Sequence, residues 1–311
     1  MDKAKLPPAP AWVRLAATII RRLPAGRYRA INWVCPRPPS AFWMRMPGKL
    51  GGSVFKCDLR DSIAREVCFT GRYEPQETAL VRAILRQGMS FVDVGANWGY
   101  FTLVAAHFVG KRGRVVSLEP DPRLFAVLQE NVTRNELGQV TPLQVAAADA
   151  QGMLTLAGYD ETGGNFGVSR IVNNSGTQGG SFRVHSDSLD HILDEQNLDS
   201  IDLMKMDIEG AEALAIAGFG KCLTKKRVKR LLLELYPGQL LEFGCSAAAI
   251  IQRLQGAAYL PITIDHSPVA TRNAAYSKVE NVRTLLRPFS FEDRLDTWPH
   301  QLWVAPGVEL K

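Results

Sequence analysis

Cysteine is scarce in this sequence, with five residues among 311, and none of them forms a Cys-x-x-Cys pair or stands near histidines at the spacing of a metal site. Structural zinc sites and disulfide frameworks both depend on such paired residues. The pattern therefore excludes a disulfide-rich module and a zinc-finger protein. It predicts a reducing, cytoplasmic setting and no bound metal.

Long apolar runs are also absent. Although 46% of the residues are hydrophobic, no segment reaches the roughly 18 uninterrupted apolar residues of a membrane-spanning helix. The apolar residues 11–20 are interrupted by Arg14 and followed by Arg21 and Arg22 rather than by a cleavage site, so we expect no secretory leader. The length and composition favour one enlarged α/β domain over two.

Acidic residues are nearly missing from residues 1–60, which contain twelve Lys or Arg but only Asp2 and Asp58. This segment has a net charge of +10, so the other 251 residues contribute −4 to the total of +6. The positive charge is therefore local to an N-terminal arm. A second basic run, residues 225–230, lacks interleaved aromatic residues, and we predict no nucleic-acid binding from it.

Residues 11–23 of this arm have the periodicity of an amphipathic helix, with apolar side chains on one side and Arg14, Arg21 and Arg22 offset from them. Two interpretations stay open. The helix contacts anionic lipid at the inner membrane surface, or an acidic glycan, or it packs on the rest of the protein with its arginines in water.

Strand-like and helix-like segments alternate from residue 91 onward, which predicts a Rossmann-like, doubly wound and mostly parallel sheet. We assign residues 1–69 to a basic arm with short strands at 51–70, and residues 70–311 to the main domain. Two polar stretches, 158–180 and 265–281, are expected to lie over the carboxyl ends of the strands. The predicted strands are 91–94, 114–118, 140–146, 201–206, 228–235, 260–264 and 300–305, the last of them antiparallel.

The turn after the first of these strands is the most informative segment. Asp93, Gly95, Asn97 and Gly99 precede a helix start, where free N–H groups and a positive dipole end suit a ligand carboxylate. A dinucleotide fingerprint has the spacing G-x-G-x-x-G, which this turn lacks. We expect Asp93 to face the ligand, where it would repel a pyrophosphate but pair with an ammonium group.

Acidic residues also follow the next two strands. Glu119 ends the strand 114–118, at the position that commonly binds ribose hydroxyls. Asp149 follows the third strand and is either an adenine contact or a turn residue that caps a helix.

Six motifs follow one another along the chain: Tyr73-Glu74-Pro75, Val92-Asp93-Val94-Gly95-Ala96-Asn97-Trp98-Gly99-Tyr100, Leu118-Glu119-Pro120, Ser188-Leu189-Asp190, Lys205-Met206-Asp207-Ile208-Glu209-Gly210 and Leu233-Glu234-Leu235. In these motifs and their order the sequence resembles the FkbM-type methyltransferases, which use S-adenosylmethionine. The resemblance implies the seven-stranded class I methyltransferase fold, a cofactor site that includes Glu74, and a turn from Gly95 to Gly99 that holds the methionine end.

Asp207 and Glu209 are the predicted catalytic residues, because both follow the strand 201–206 at the mouth of the crevice. Asp207 is also a candidate for holding the ammonium group of the cofactor. Glu209 has the alternative of pairing within the next helix. His185 and His266 are the other side chains that could accept a proton.

The acceptor is expected to be a hydroxyl on a sugar, glycolipid or secondary metabolite, because FkbM-type enzymes are typically O-methyltransferases of such compounds. Two other functions stay open. One is a nicotinamide-dependent oxidoreductase, which the spacing of the glycine turn disfavours. The other is a non-catalytic protein that keeps the fold and binds a membrane or glycan through the arm.

Overall fold

A mixed sheet of eight strands is the centre of the part of the chain described by the computed structural model, which comprises residues 6–34, 41–157, 170–171, 181–276, 281–290 and 300–310. The described strands are β1 (Phe42–Arg45), β2 (Val54–Cys57), β3 (Ser90–Val94), β4 (Arg114–Leu118), β5 (Val140–Leu143), β6 (Ala146–Ala148), β7 (Gly152–Ala157), β8 (Arg170–Ile171), β9 (Ser181–Ser188), β10 (Leu203–Met206), β11 (Arg230–Glu234), β12 (Leu260–Ile264), β13 (Leu286–Pro288) and β14 (His300–Val304).

Helices cover both faces of this sheet. The described α-helices are α1 (Ala11–Arg22), α2 (Arg27–Val34), α3 (Ser62–Thr70), α4 (Pro75–Ile84), α5 (Tyr100–Val109), α6 (Pro122–Arg134), α7 (Leu189–Glu195), α8 (Glu212–Ala217), α9 (Gly220–Thr224), α10 (Pro237–Glu242), α11 (Ala247–Gly256) and α12 (Pro268–Tyr276).

The strand order is β13-β12-β14-β11-β10-β3-β4-β5. Strands β5, β4, β3, β10 and β11 run parallel to one another, whereas β14 is antiparallel to both β11 and β12. The chain reverses its direction of travel across the sheet between β3 and β10, and ligands bind at the carboxyl ends of strands at such a switch point. The predicted Rossmann-like fold is confirmed. In the described residues β13 adds an eighth strand to the seven that were predicted.

Helix α6 shows how the sequence specifies an element. Asp121 is its N-cap and accepts a hydrogen bond from the Arg123 backbone N–H at 2.8 Å, while Pro122 occupies the first turn, where no N–H is needed. The helix buries Leu124 and Leu128 against the sheet. Strand β10 is buried at every position, as expected for a central parallel strand with helices on both sides.

Two predicted strand segments are wrong in part. The predicted strand 140–146 is divided, because β5 ends at Leu143 and β6 pairs with β9 in a separate four-stranded sheet. The segment 51–70 contains the strand β2 but ends in helix α3, whose N-cap Asp61 accepts a hydrogen bond from the Ala64 N–H. Most of the predicted cover loop 158–180, and residues 277–280 of the second polar stretch, lie outside the described residues.

The N-terminal arm packs on the main domain. Helix α1 buries Val13, Ala17 and Ile20 in the same apolar core as α3 and α5. Strand β2 is fixed to α6, because the Lys56 backbone N–H donates to Asn131 Oδ1 at 2.8 Å. One face of α1 therefore packs on the rest of the protein, as the second interpretation of residues 11–23 expected. The hydrophobic core continues across the predicted domain boundary at residue 69. No helix of the described residues is long and apolar enough to cross a bilayer.

Candidate functional site

A cavity of about 440 Å³ lies at the switch point, within the roughly 300–1,000 Å³ that is usual for small-molecule sites. The carboxyl ends of β3, β4, β10 and β11 form its floor, and the turn before α4 and the first turns of α3 and α5 form its walls. The structure brings together six of the predicted site residues, which line it: Glu74, Gly95, Asn97, Glu119, Asp207 and Glu209.

Gly95 is required by a close approach of two backbone segments. Its φ is +85°, and a Cβ at this position would lie 2.0 Å from the Asp207 carbonyl oxygen. No side chain larger than hydrogen fits between the ends of β3 and β10. Gly95 thus lets the two segments that carry Asn97 and Asp207 meet at one edge of the cavity.

Replacing Gly95 by alanine is expected to lower the free energy of unfolding by about 1–2 kcal/mol for the left-handed conformation and by roughly 1–3 kcal/mol more for the collision. Gly88 is a matched control, because its φ is +84° but nothing lies within 4 Å of the place that a Cβ would occupy. Chemical denaturation of Gly95→Ala and Gly88→Ala gives the two losses of unfolding free energy, and their difference is the cost of the close approach. Equal losses for the two variants would contradict it.

The amides of the glycine turn are already paired within the protein, contrary to the expectation that they are free for a ligand. The Gly95 and Ala96 N–H groups both donate to the Leu118 carbonyl, and the Gly99 N–H donates to the Ala96 carbonyl. The Asn97 N–H donates to Glu119 Oε2 at 2.8 Å. The turn is therefore a rigid wall and not an open anion site. Gly99 is the N-cap of α5 and does not line the cavity.

Glu119 lines the cavity and also holds the turn in place. Its Oε1 accepts a hydrogen bond from the Asp121 N–H at 2.9 Å, and each carboxylate oxygen can accept a second one. Burial is the main cause that raises the pKa of Glu119 to about 8, against the opposing effect of the two backbone donors.

Asp93 does not face the cavity, which corrects the expectation drawn from the turn. It is 1% exposed, and its Oδ2 accepts a hydrogen bond from Thr102 Oγ1 at 2.7 Å. Burial raises its pKa to about 6. Asp93 thus ties the end of β3 to the first turn of α5, and the carboxylates that reach the ligand space come from other positions.

Lys205 is the one basic side chain among the described residues that line the cavity. Five acidic residues also line it: Glu74, Glu119, Asp207, Glu209 and Glu234. Lys205 Nζ lies 2.7 Å from Asp207 Oδ2, 3.8 Å from Glu74 Oε2 and 4.8 Å from the centre of the Phe101 ring. Burial lowers the pKa of Lys205, but Asp207 and Glu74 raise it more, so the pKa lies above the ordinary value and the ammonium stays charged.

A chain of polar groups continues from Asp207 through Tyr236 and Glu234, which also line the cavity, to His300 and Glu77. The Tyr236 hydroxyl lies 3.0 Å from Asp207 Oδ1 and 2.9 Å from Glu234 Oε1, and its single proton can be donated to only one of them at a time. His300 Nε2 lies 3.2 Å from Glu234 Oε1, and His300 Nδ1 lies 2.9 Å from Glu77 Oε1. Burial lowers the pKa of His300, but Glu77 and Glu234 raise it well above its ordinary value.

Two groups of described residues bring three potential metal ligands within 4.8 Å of one another: Glu74 with Asp207 and Glu234, and Glu77 with His266 and His300. The protein supplies a cation of its own to each group, Lys205 to the first and the protonated His300 to the second.

Three of the seven described non-glycine residues that have a positive φ lie at the cavity. Glu74, Asn97 and Glu209 have φ values of 40°, 52° and 54°, a conformation that costs a residue other than glycine roughly 1–3 kcal/mol and that clusters at functional sites. Each of the three lines the cavity. The fold thus holds two carboxylates and an amide side chain in fixed positions at the expense of stability.

The polar atoms left without a partner show what kind of ligand fits. Among the described residues, Glu74 Oε2, Glu234 Oε2 and Trp98 Nε1 are buried and have no hydrogen-bond partner, and all three residues line the cavity. Two buried carboxylate oxygens without a hydrogen bond and an excess of acids suit a ligand that carries positive charge, and buried groups of this kind are costly until a ligand satisfies them. S-adenosylmethionine, with its ammonium and sulfonium groups, fits these acidic residues, whereas they would repel a diphosphate.

Three other predicted residues lie elsewhere. Asp149 is exposed and lines a separate open depression with Asp190 and Lys221, so the structure does not bring it to the cavity, where Ala146 and Ala147 stand instead. His185 is exposed on β9. His266 Nε2 lies 2.9 Å from Glu77 Oε1, outside the lining of the cavity.

Three lining residues have a larger part in the site than the sequence indicated. Tyr236 was not predicted, and Lys205 and Glu234 were predicted only as parts of motifs. The signal was present, because Glu234 and Tyr236 follow β11 at the same sheet edge as Asp207. The rule that polar residues at the carboxyl ends of parallel strands share a site would have identified them.

Comparison with known proteins identifies relatives of this chain. A family model described as the methyltransferase FkbM domain matches residues 93–261, which is over half of the chain. The 2-O-methyltransferase NoeI of Sinorhizobium fredii is 30% identical over 165 residues, which are 48% of this chain and 66% of NoeI. The AMB antimetabolite synthetase AmbE of Pseudomonas aeruginosa is 28% identical over 178 residues, 47% of this chain but 8% of AmbE. The chain thus spans just under two thirds of one relative and a small part of the other.

Among solved structures, the methyltransferase FkbM of Methylobacillus flagellatus matches with a TM-score of 0.41 and 17% identity. The match covers 77% of this chain and 52% of that one.

Proposed function

This chain belongs to the FkbM family of S-adenosylmethionine-dependent methyltransferases, and from that premise we propose that it methylates a hydroxyl group of a sugar, glycolipid or secondary metabolite. Its membership of the family removes the nicotinamide-dependent oxidoreductase from consideration. The name of NoeI, a 2-O-methyltransferase, supports oxygen as the acceptor atom. The observation that carries the proposal is the position of Asp207 in the cavity, between the buried cation Lys205 and the Tyr236 hydroxyl.

The cofactor supplies a methyl group on a sulfonium, an electrophile that needs no further activation. We assign its positively charged portion to Glu74, whose buried Oε2 has no hydrogen-bond partner among the described residues. Glu119 and Asn97, joined by a hydrogen bond of 2.8 Å, are assigned to its ribose. These residues hold and orient the cofactor. Positioning of the reacting groups can lower the activation free energy by up to roughly 7–11 kcal/mol.

A hydroxyl acceptor must also lose a proton, and Asp207 is the assigned proton acceptor. Lys205 Nζ, 2.7 Å from Asp207 Oδ2, places a fixed positive charge beside this carboxylate. The Tyr236 hydroxyl lies within hydrogen-bond distance of both Asp207 and Glu234 and can donate to either. It therefore orients Asp207 and links it to a second carboxylate. Glu209, at the same edge of the cavity, is assigned to the acceptor.

Incubation with labelled S-adenosylmethionine and fractionated small molecules and lipids tests the proposal. We expect label in a hydroxylated compound, as an ether that resists acid treatment. Binding of S-adenosylhomocysteine without transfer to any fraction would instead favour a non-catalytic protein that keeps the fold. Label on an amine would contradict the assignment of an oxygen acceptor.

Replacing Glu74 by glutamine is expected to weaken the binding of S-adenosylhomocysteine about tenfold to 100-fold, because a hydrogen bond to a charged group contributes roughly 1.5–3 kcal/mol. Calorimetry measures this loss. Unchanged affinity would remove Glu74 from the cofactor site.

The same variant should be more stable than the wild type at high pH. Burial is the main cause that raises the pKa of Glu74 well above 4.5 in the folded protein, and Lys205 only partly opposes it. An acid with a raised pKa in the folded state destabilises that state as pH rises above its ordinary pKa. The difference in unfolding free energy between the variant and the wild type should therefore grow as pH rises from about 4.5 and level off above the folded-state pKa. A difference that is independent of pH would contradict this.

A further inference from the structure

Helix α1 has two apolar faces, and only one of them is covered by the described residues. Val13, Ala17 and Ile20 are buried, whereas Trp12, Leu15 and Ile19 are 43%, 63% and 54% exposed. The exposed three are spaced i, i+3 and i+7, so they form a single stripe along the helix. Trp33 on the adjacent α2 is 86% exposed. We call Trp12, Leu15 and Ile19 the apolar stripe.

The charge around the apolar stripe is of one sign. Residues 6–34 contain five arginines and no acidic residue. Arg14, Arg22 and Arg29 are exposed, while Arg21 is engaged with the protein and donates to the Cys68 carbonyl at 2.8 Å. Exposed tryptophan and aliphatic side chains beside arginines, with no compensating acid, have the composition of a helix that lies in the plane of an anionic membrane surface.

We propose that the apolar stripe and the exposed arginines of α1 and α2 dock this protein on an anionic bilayer. A second copy of the chain is a poorer occupant of the same surface. A symmetric contact would place the arginines of one arm against the arginines of the other, and residues 6–34 supply no acid to separate them. The inference goes beyond the proposed function, because it does not depend on methyl transfer.

The docking surface is mechanically connected to the cavity. Arg21 of α1 bonds to the last turns of α3, and Ser62 and Ile63 in the first turn of α3 line the cavity. When the protein is docked through α1, the helix bonded to α1 is α3, and the first turn of α3 forms one wall of the cavity. This arrangement suits an acceptor that is itself held in the bilayer.

Co-sedimentation of the full chain with vesicles tests the proposal. We expect binding to phosphatidylcholine vesicles that contain phosphatidylglycerol, weaker binding to phosphatidylcholine alone, and loss of the difference when salt is raised from about 0.1 M to about 0.5 M. Replacing Arg14 and Arg22 by glutamine should lower the partition coefficient about 25-fold, since each cation near an anionic surface contributes about fivefold. Lys221 and Lys225, exposed elsewhere on the chain, are the control pair for the same substitution and should have no effect.

The apolar contribution is tested with Leu15→Ser, which should lower vesicle binding about tenfold. Leu260 on β12 is also 63% exposed, so Leu260→Ser is the matched control and should bind like the wild type. Calorimetry with S-adenosylhomocysteine verifies that each variant is folded. If the wild-type protein itself does not bind this compound, the cofactor assignment is in question and the docking surface is not. Equal binding to neutral and anionic vesicles would overturn the proposal. A dimer in analytical ultracentrifugation that Leu15→Ser converts to a monomer would also overturn it, by assigning the surface to a second copy.

Discussion

Replacing Asp207 by asparagine is expected to lower kcat for methylation of a hydroxyl acceptor by about 10²–10⁴-fold, the usual contribution of a positioned general base. Asparagine keeps the shape of the side chain and an oxygen for the Tyr236 hydroxyl, which lies 3.0 Å away, but it cannot accept the proton of the acceptor. The affinity for S-adenosylhomocysteine should change far less than kcat. The measurement is initial-rate kinetics with labelled cofactor and the acceptor found by label transfer.

Asp202 is the matched control, because it precedes the same strand, β10, and is also paired with a lysine at 2.7 Å, but at the opposite end of the sheet and away from the cavity. Asp202→Asn should leave kcat within about twofold of the wild type, because the side chain of Asp202 lines no part of the cavity. Glu209→Gln tests the other predicted catalytic residue. If kcat falls with Glu209→Gln but not with Asp207→Asn, the two roles must be exchanged.

Replacing Lys205 by methionine is expected to lower the free energy of unfolding by about 3–5 kcal/mol, because removal of one partner leaves buried charges without compensation. Lys205 is 4% exposed and is surrounded by carboxylates, with Asp207 at 2.7 Å and Glu74 at 3.8 Å. Without the ammonium, these acids take up protons more readily. The loss should therefore be largest at high pH and should shrink as pH falls. Urea denaturation at several pH values measures both effects.

Lys229 provides the control for this variant. Its Nζ is also 2.7 Å from a carboxylate, Asp202 Oδ1, but its side chain is 42% exposed. The Lys229→Met variant should lose only about 0–1 kcal/mol, which is usual for an ion pair that solvent reaches, because the less exposed partner, Asp202, keeps its hydrogen bonds from Ser90. Similar losses of unfolding free energy for Lys205→Met and Lys229→Met would show that burial does not determine how much the Lys205 ion pair contributes to stability.

The elements that the sequence predicts well are those with both a periodic pattern and a stop signal. Strands β4 and β12 match their predicted ranges. The segment that forms helix α3 was predicted as strand, because its β-branched and aromatic residues also suit a strand. The break after Leu143 could not be predicted, because it depends on the pairing of β6 with the distant β9.

The location of the site was predicted more accurately than the role of each residue in it. The turn and the strand ends bring Glu74, Asn97, Glu119 and Asp207 to one cavity, as parallel topology requires. Asp93 was assigned to the ligand, but it is buried against Thr102, because the direction of a side chain at a strand end depends on the helix packed above it. The partners of Lys205 could not be inferred from spacing, since Glu74 lies over a hundred positions earlier in the chain.

Titration calorimetry with S-adenosylhomocysteine and, separately, with NAD⁺ is the most direct test of the central claim, that an acid-lined cavity at the switch point holds a positively charged nucleoside. We predict saturable binding of S-adenosylhomocysteine at one site, weakened in Glu74→Gln, and no heat with NAD⁺. Absence of heat with S-adenosylhomocysteine, or comparable binding of NAD⁺, would contradict the account.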